Sequence, residues 1–166
     1  METYFEGQRI AILVDTVNVY HGAKTRYQGR VDYKRLMDLI VRERKLVRAI
    51  AFVERSEDAE ITPFIDALKA VGFETRVKTL RRSTEYRSRG SEWEVGIALH
   101  ATQLAPRVDC IAIVSGNGAF VDLVDHLSCN GVRTEIYAFE GCVSNELTYQ
   151  ADHWCPIDED WLMDKS

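Results

Sequence analysis

The chain of 166 residues lacks several things that would each have fixed a class. It has no long apolar run: the longest, such as Ile111 to Val114, are far too short to cross a bilayer. Its first eight residues carry two glutamates and no apolar core, so no secretory signal is expected there. The four cysteines (Cys110, Cys129, Cys142, Cys155) form no C-x-x-C pair, and a disulfide framework is not expected without a secretion signal. The chain is therefore expected to be cytoplasmic, with no membrane partner. His153 and Cys155 are a candidate zinc pair, but without a second cluster a C-terminal turn is the plainer reading. There is no excess of positive charge either. The net charge of −5 argues against a general, sequence-blind coating of nucleic acid. No internal repeat or low-complexity tract is present.

What the sequence has instead is alternation. Arg9 to Val14 is a short apolar run ending in Asp15. Tyr33 to Val41 has helical spacing behind a capping Asp32. Val47 to Val53 reads as a second strand. Thr62-Pro63 opens a helix that Gly72 stops, and Glu74 to Val77 is a short third strand. Glu92 to Leu104 is an amphipathic helix ended by Pro106. Cys110 to Val114 is a fourth strand, Ala119 to Cys129 a helix, Arg133 to Ala138 a fifth strand, and Ser144 to about Gln150 a last short helix. Strands alternating with helices mean parallel pairing. The expected fold is α/β: an open, doubly wound, mainly parallel sheet of about five strands with helices on both faces. Residues 1–8 read as an extension, 9–155 as the domain and 156–166 as an acidic tail. In such sheets ligands bind at the carboxyl ends of the strands, near the reversal of strand order.

Three places carry chemistry by that rule. Asp15 ends an apolar strand in Asp15-Thr16-Val17-Asn18. It either caps the next turn or holds a metal at the sheet edge. Glu94, in Trp93-Glu94-Val95-Gly96, sits in a helix's first turn. There a carboxylate either complements the helix dipole, worth about 0.3–1 kcal/mol, or serves a site. Ser115-Gly116-Asn117-Gly118-Ala119-Phe120 follows the fourth strand, and its glycines permit either an ordinary turn or close approach of backbone to a ligand. Each signal is weak alone; their co-occurrence and order are specific.

Together these motifs resemble the NYN family, the LabA-like branch of the PIN-like nucleases, from about Arg9 to His153. The resemblance rests on D-x-x-N at Asp15 to Asn18 and on a glycine-bearing basic loop into W-D-V. That second pattern appears as Arg89-Gly90-Ser91-Glu92-Trp93-Glu94-Val95, with Glu94 in the aspartate's place. It rests also on S-G-D-x-D-F, here Ser115 to Phe120 with Leu123, Leu127 and Gly131 behind it, and on a closing Leu147, Ala151 and Asp152. The resemblance implies a PIN-like, Rossmannoid fold that cleaves RNA with Mg²⁺ or Mn²⁺ held by acids. Hard cations take carboxylate and water oxygens. The bound ion would activate water and neutralise charge on the phosphate.

The sequence departs from that pattern at the third motif, where Asn117 and Ala119 stand in place of two aspartates. The carboxylates of the site fall from about four to two, Asp15 and Glu94, and metal affinity tracks ligand charge. Asn117 offers a neutral oxygen. Asp122, three residues after Ala119 and roughly on its face, is a fourth candidate ligand. The expected catalytic set is Asp15, Glu94 and Asn117, with Asp122 added for the metal. Lys78 to Arg89 holds five basic residues against one acid. Arg81, Arg82, Arg87 and Arg89 in it, with Asn18 and Ser115, are candidates to grip RNA. Tyr86 and Tyr20 are candidate stacking surfaces, while a solvated surface loop is the plain alternative. The leading expectation is a ribonuclease fold with weak or lost activity, and the alternative is a non-catalytic RNA-binding or regulatory module. A homo-oligomer is compatible with either. A dinucleotide-binding protein is disfavoured by the absence of G-x-G-x-x-G after the first strand.

Overall fold

A computed structural model describes residues 4–80 and 92–165. Six strands, β1 (Arg9–Asp15), β2 (Lys45–Ser56), β3 (Glu74–Leu80), β4 (Cys110–Val114), β5 (Arg133–Phe139) and β6 (His153–Ile157), form one sheet in the order β3-β2-β1-β4-β5-β6. Every ladder is parallel. The fold is the expected α/β sheet with one strand more than the five anticipated. β6 was read as a turn because it is five residues long and contains Pro156, which has no N–H for a ladder. Pairing only with β5, it is an edge strand, where such a residue is tolerated.

Helices α1 (Thr16–Tyr27), α2 (Tyr33–Val41) and α3 (Thr62–Val71) cover one face. Helices α4 (Glu94–Leu104), α5 (Val121–Cys129) and α6 (Asn145–Gln150) cover the other. β1 shows why both layers are needed: Ile10, Ile12 and Val14 are buried on the first side, Ala11 and Leu13 on the second. A strand buried on both faces reads as a continuous apolar run, as RIAILV does. Helix α1 is the element that apolar spacing does not announce. Its buried residues are Thr16, Val19, Gly22 and Ala23, too small and mixed to form a stripe. Helix α4 buries Ile97, Ala101 and Leu104 but leaves Val95 and Leu99 exposed. Beyond β6, Trp161 and Leu162 are buried in the α1–α3 layer, so the acidic C-terminal segment is anchored by apolar contacts. No helix among the described residues is long and apolar enough to cross a membrane.

At the amino edge of the sheet lies a buried ion pair. Arg44 donates two hydrogen bonds to Glu135, at 2.8 and 2.9 Å, and both side chains are almost wholly excluded from solvent. Tyr137 Oη and Arg133 Nε also donate to Glu135, at 2.8 and 3.1 Å. Arg44 donates further to the Ile40 carbonyl and to Gln8 Oε1. Burial opposes ionisation of Glu135, but the hydrogen bonds and charge of Arg44 win and hold its carboxyl at about 2. Removing one partner of such a pair leaves an uncompensated buried charge, at a cost of about 3–5 kcal/mol.

Arg44→Met is therefore expected to destabilise the fold by about that amount in denaturant titration. The pH dependence has a definite sign. A carboxyl depressed on folding adds stability that is complete above its ordinary value of 4.5 and is lost as pH falls toward about 2. The stability gap between the wild type and Glu135→Gln should thus be widest at neutral pH and close between those values. A constant gap across that range would show that ionised Glu135 does not stabilise the fold.

Candidate functional site

The strand order reverses direction between β1 and β4, which pair with Val14 opposite Val114. The residues that follow these two positions, Asp15 and Ser115, therefore open the crevice where ligands of such sheets bind. Asp15 is 1% exposed. It caps α1, accepting from the Asn18 N–H at 3.3 Å, and Ser115 Oγ donates to its other oxygen at 3.3 Å. Asn18 reaches back across the gap, its Oδ1 accepting from the Gly116 N–H at 2.9 Å. The D-x-x-N spacing thus places two residues on the first turn of α1 that between them hold the loop after β4. Thr16 ties the same turn to β2 by donating to the Phe52 carbonyl at 2.8 Å.

Glu94 is brought in by its neighbour. Trp93 Nε1 donates to the Val53 carbonyl at 3.0 Å and its ring meets Phe52 edge-on, fixing the start of α4 against β2. Gly96 lies one turn on, where a Cβ would overlap the Trp93 indole. Glu94 then accepts from Asn117 Nδ2 at 2.7 Å. Asn117 Oδ1 accepts from the Ala119 N–H at 3.0 Å, and the Asn117 N–H donates to Ser115 Oγ at 3.2 Å. Because an N–H only donates and a carboxylate only accepts, the bonds to Glu94 and from the Ala119 N–H fix which way the Asn117 amide points. A Cβ at Gly116 would collide with the Cys142 carbonyl, which explains the glycine at that closely packed turn.

The structure thus brings Asp15, Asn18, Glu94, Ser115 and Asn117 together at one edge. Asp122 is exposed in the first turn of α5 and makes no side-chain hydrogen bond to them. Arg81, Arg82, Arg87, Arg89 and Tyr86 lie outside the described residues. Asp152 serves elsewhere, accepting from the Thr134 N–H and hydroxyl at the amino end of β5. One acid was missed. Glu54, near the end of β2, accepts from the Glu92 N–H at 2.6 Å, and its charge is felt at Asp15. The signal was available: like Asp15, Glu54 directly follows a buried apolar run, Ala49 to Val53.

Burial raises the Asp15 carboxyl above its ordinary value, and the negative charge of Glu54 adds to the effect. The Asn18 and Ser115 hydrogen bonds oppose it.

The motif order, the sheet order and the convergence at the β1–β4 reversal agree with comparison to known proteins, in which the NYN domain matches residues 9–158. The chain belongs to the NYN domain family. It is similar to the "Low amplitude and bright protein LabA" of Synechococcus elongatus, at 22% identity over 163 residues, covering 93% of this chain and 87% of that protein. It is also similar to the crystal structure of a protein of unknown function from Vibrio parahaemolyticus RIMD 2210633. That match has a TM-score of 0.87 and 32% identity, and covers 98% of this chain and 100% of the other.

Membership gives the NYN chain a PIN-like nuclease fold, and such nucleases typically use divalent metal ions. Among the described residues no group of three His, Cys, Asp or Glu side chains is placed to hold a metal, His153 and Cys155 included. Glu94 already receives an N–H from Asn117 on the side where the family pattern has a second acid. The loop's N–H groups at 116, 117 and 119 are likewise satisfied within the site.

Asp15→Asn tests the electrostatics of the crevice. Asparagine keeps a capping oxygen and removes the buried charge. An acid whose folded value is raised costs stability above that value, and the cost vanishes once pH falls below the ordinary 3.8. The variant is expected to melt above the wild type at pH 7, with the difference shrinking as the pH is lowered toward 3.8. A variant less stable than the wild type at neutral pH would mean that the ionised Asp15 stabilises the fold rather than straining it.

Proposed function

We propose that this NYN domain acts on RNA and that its hydrolytic site is depleted, so that it binds RNA and cleaves weakly or not at all. The observation that carries this reading is the hydrogen bond from Asn117 Nδ2 to Glu94 at 2.7 Å. In a metal site, two facing carboxylates are reconciled by the cation between them. Here an amide N–H takes the place of that positive charge, and Glu94 has a partner without an ion. Ala119 supplies no ligand atom. With Asp15 and Glu94 as the remaining anionic ligands of the expected set, Mg²⁺ or Mn²⁺ would be held weakly. Asn18 and Ser115, which shape the crevice, and the basic residues Arg81, Arg82, Arg87 and Arg89 would provide the grip on phosphate.

A second reading, a non-catalytic RNA-binding module, is favoured by the internal satisfaction of the Ser115–Ala119 loop. A site complete in its own hydrogen bonds has no electrostatic need for a cation. The two readings separate on whether RNA binding responds to metal.

The experiment restores the acids. Asn117→Asp with Ala119→Asp replaces an attractive contact by carboxylates crowded against Glu94, so the double variant should melt below the wild type without divalent ions. Adding Mn²⁺ should raise its melting temperature more than it raises the wild type's, since a ligand that binds only the folded state stabilises it by mass action. Mn²⁺-dependent RNA cleavage should rise in parallel. If the double variant gains no more from Mn²⁺ than the wild type, positions 117 and 119 do not face a metal site and the depletion reading falls.

A further inference from the structure

A cleft of about 850 Å³ opens on the α1–α3 face of the sheet, between α1 and α3 and over the carboxyl end of β2. It begins at Thr16 and Glu54, beside the crevice just described, and is floored by apolar groups including Val19, Val53 and Leu68. Two aromatic rings border it, Tyr20 on α1 and Phe64 on α3, respectively 55% and 37% exposed.

The polar groups of the cleft divide by sign and place. Tyr33 lines it, its ring packed against Phe64 and Phe73. The Tyr33 hydroxyl makes no hydrogen bond to a described residue, and neither does the Arg30 guanidinium on the rim. Arg55 is the second rim cation; it donates to Thr79 Oγ1 at 3.0 Å, and its charge is felt at the exposed Glu60. The acids are committed: Asp32 caps α2 through the Lys34 and Arg35 N–H groups, and Glu54 accepts from the Glu92 N–H. The cleft therefore offers an apolar, aromatic-walled interior with an unused hydroxyl and arginine cations at its edge. That pattern matches a nucleotide, whose flat base stacks on exposed rings while its phosphate meets arginine. Arg55 follows Val53 on the cleft side of β2, so with Arg30 it places the cations where a phosphate would sit at the rim.

We propose that this cleft binds a nucleotide, with the base against Tyr20 and Phe64 and the phosphate at Arg30. The source favoured by its continuity with the Asp15 crevice is one unstacked residue of a single-stranded RNA lying across the sheet edge. The proposal thus rests on the RNA reading above and adds a base-accepting subsite to it. A free mononucleotide shares the same chemistry.

The test uses the full chain and two variants at exposed positions. Tyr20→Ala removes a stacking ring, and Ala67→Trp, on the α3 wall, fills the cleft; melting curves check that both fold. Affinities are measured for a short oligoadenylate, for an RNA duplex of mixed sequence, and for adenosine monophosphate. Losing one base-stacking contact should weaken oligoadenylate binding by about 5- to 100-fold in both variants. The duplex, whose bases are already stacked, should bind the variants and the wild type alike. That result supports the cleft with RNA as the source. Monophosphate binding as tight as oligoadenylate binding, and lost in both variants, supports it with a free nucleotide as the source. Oligoadenylate binding unchanged in both variants overturns the cleft and leaves the RNA reading standing. A wild type that binds the duplex alone does the same. A wild type that binds none of the three overturns both.

Discussion

All six strands run in one direction, and much of the molecule follows from that constraint. Parallel neighbours cannot be joined by hairpins, so each connection crosses a face of the sheet and both faces become covered. The same arrangement gathers every strand's carboxyl end at one edge and every amino end at the other. Where the order passes from β1 to β4, chain connections leave in opposite directions and a crevice remains that no crossover fills. Asp15 and the Ser115–Ala119 loop stand at that gap because of topology. The paired strands fix their approach to within one residue of register.

The two sheet edges handle buried carboxylates in opposite ways. At the amino edge Glu135 is enclosed but matched by Arg44, Arg133 and Tyr137, and ionisation is favoured. At the carboxyl edge Asp15 is as deeply enclosed, yet it receives backbone N–H groups from the first turn of α1 and the Ser115 hydroxyl, with Glu54 nearby, and ionisation is disfavoured. No cation among the described residues is bonded to it. Glu135 is stabilised by its neighbours, whereas Asp15 is left short of partners that favour its charge. This contrast, within one sheet, separates the scaffold's acids from those of the crevice.

Most of this architecture was legible in the sequence, and the exceptions have physical causes. The helix after Asp32 declared itself by cap residue and apolar period, the one after Ser144 by its starting residue, and the structure gives both caps. Helix α1 was silent because small and polar residues lie against the sheet, so its burial needs no apolar stripe. β6 was silent because its support comes from β5 and not from its own composition. Asp15, Glu94 and Asn117 were legible only as a set, through motif order, since position alone left each divided between a cap and a ligand. Glu54 obeys the same rule as Asp15, an acid directly after a buried apolar run, but no motif marks the end of the second strand. The Asn117–Glu94 bond was beyond the sequence altogether, because it depends on Trp93 seating α4 so that the two side chains meet.

That bond also makes the two departures from the family pattern mutually consistent. With aspartate at 117, Glu94 would face another anion at hydrogen-bonding range, tolerable only around a cation. Asparagine converts this repulsion into an N–H···O contact to a charged acceptor, among the stronger kinds of hydrogen bond. If the Asn117 amide stands in for a cation, as proposed above, a carboxylate at 119 would have nothing to balance it, and would sit beside a loop whose N–H donors are already used by Asn18, Ser115 and Asn117. On that reading, alanine at 119 leaves out a charge that no cation would balance. On the reading proposed above the two positions are therefore coupled: an aspartate at either one alone would add an unbalanced charge to the crevice, and only both together would rebuild a density of carboxylates that gives a divalent ion reason to bind.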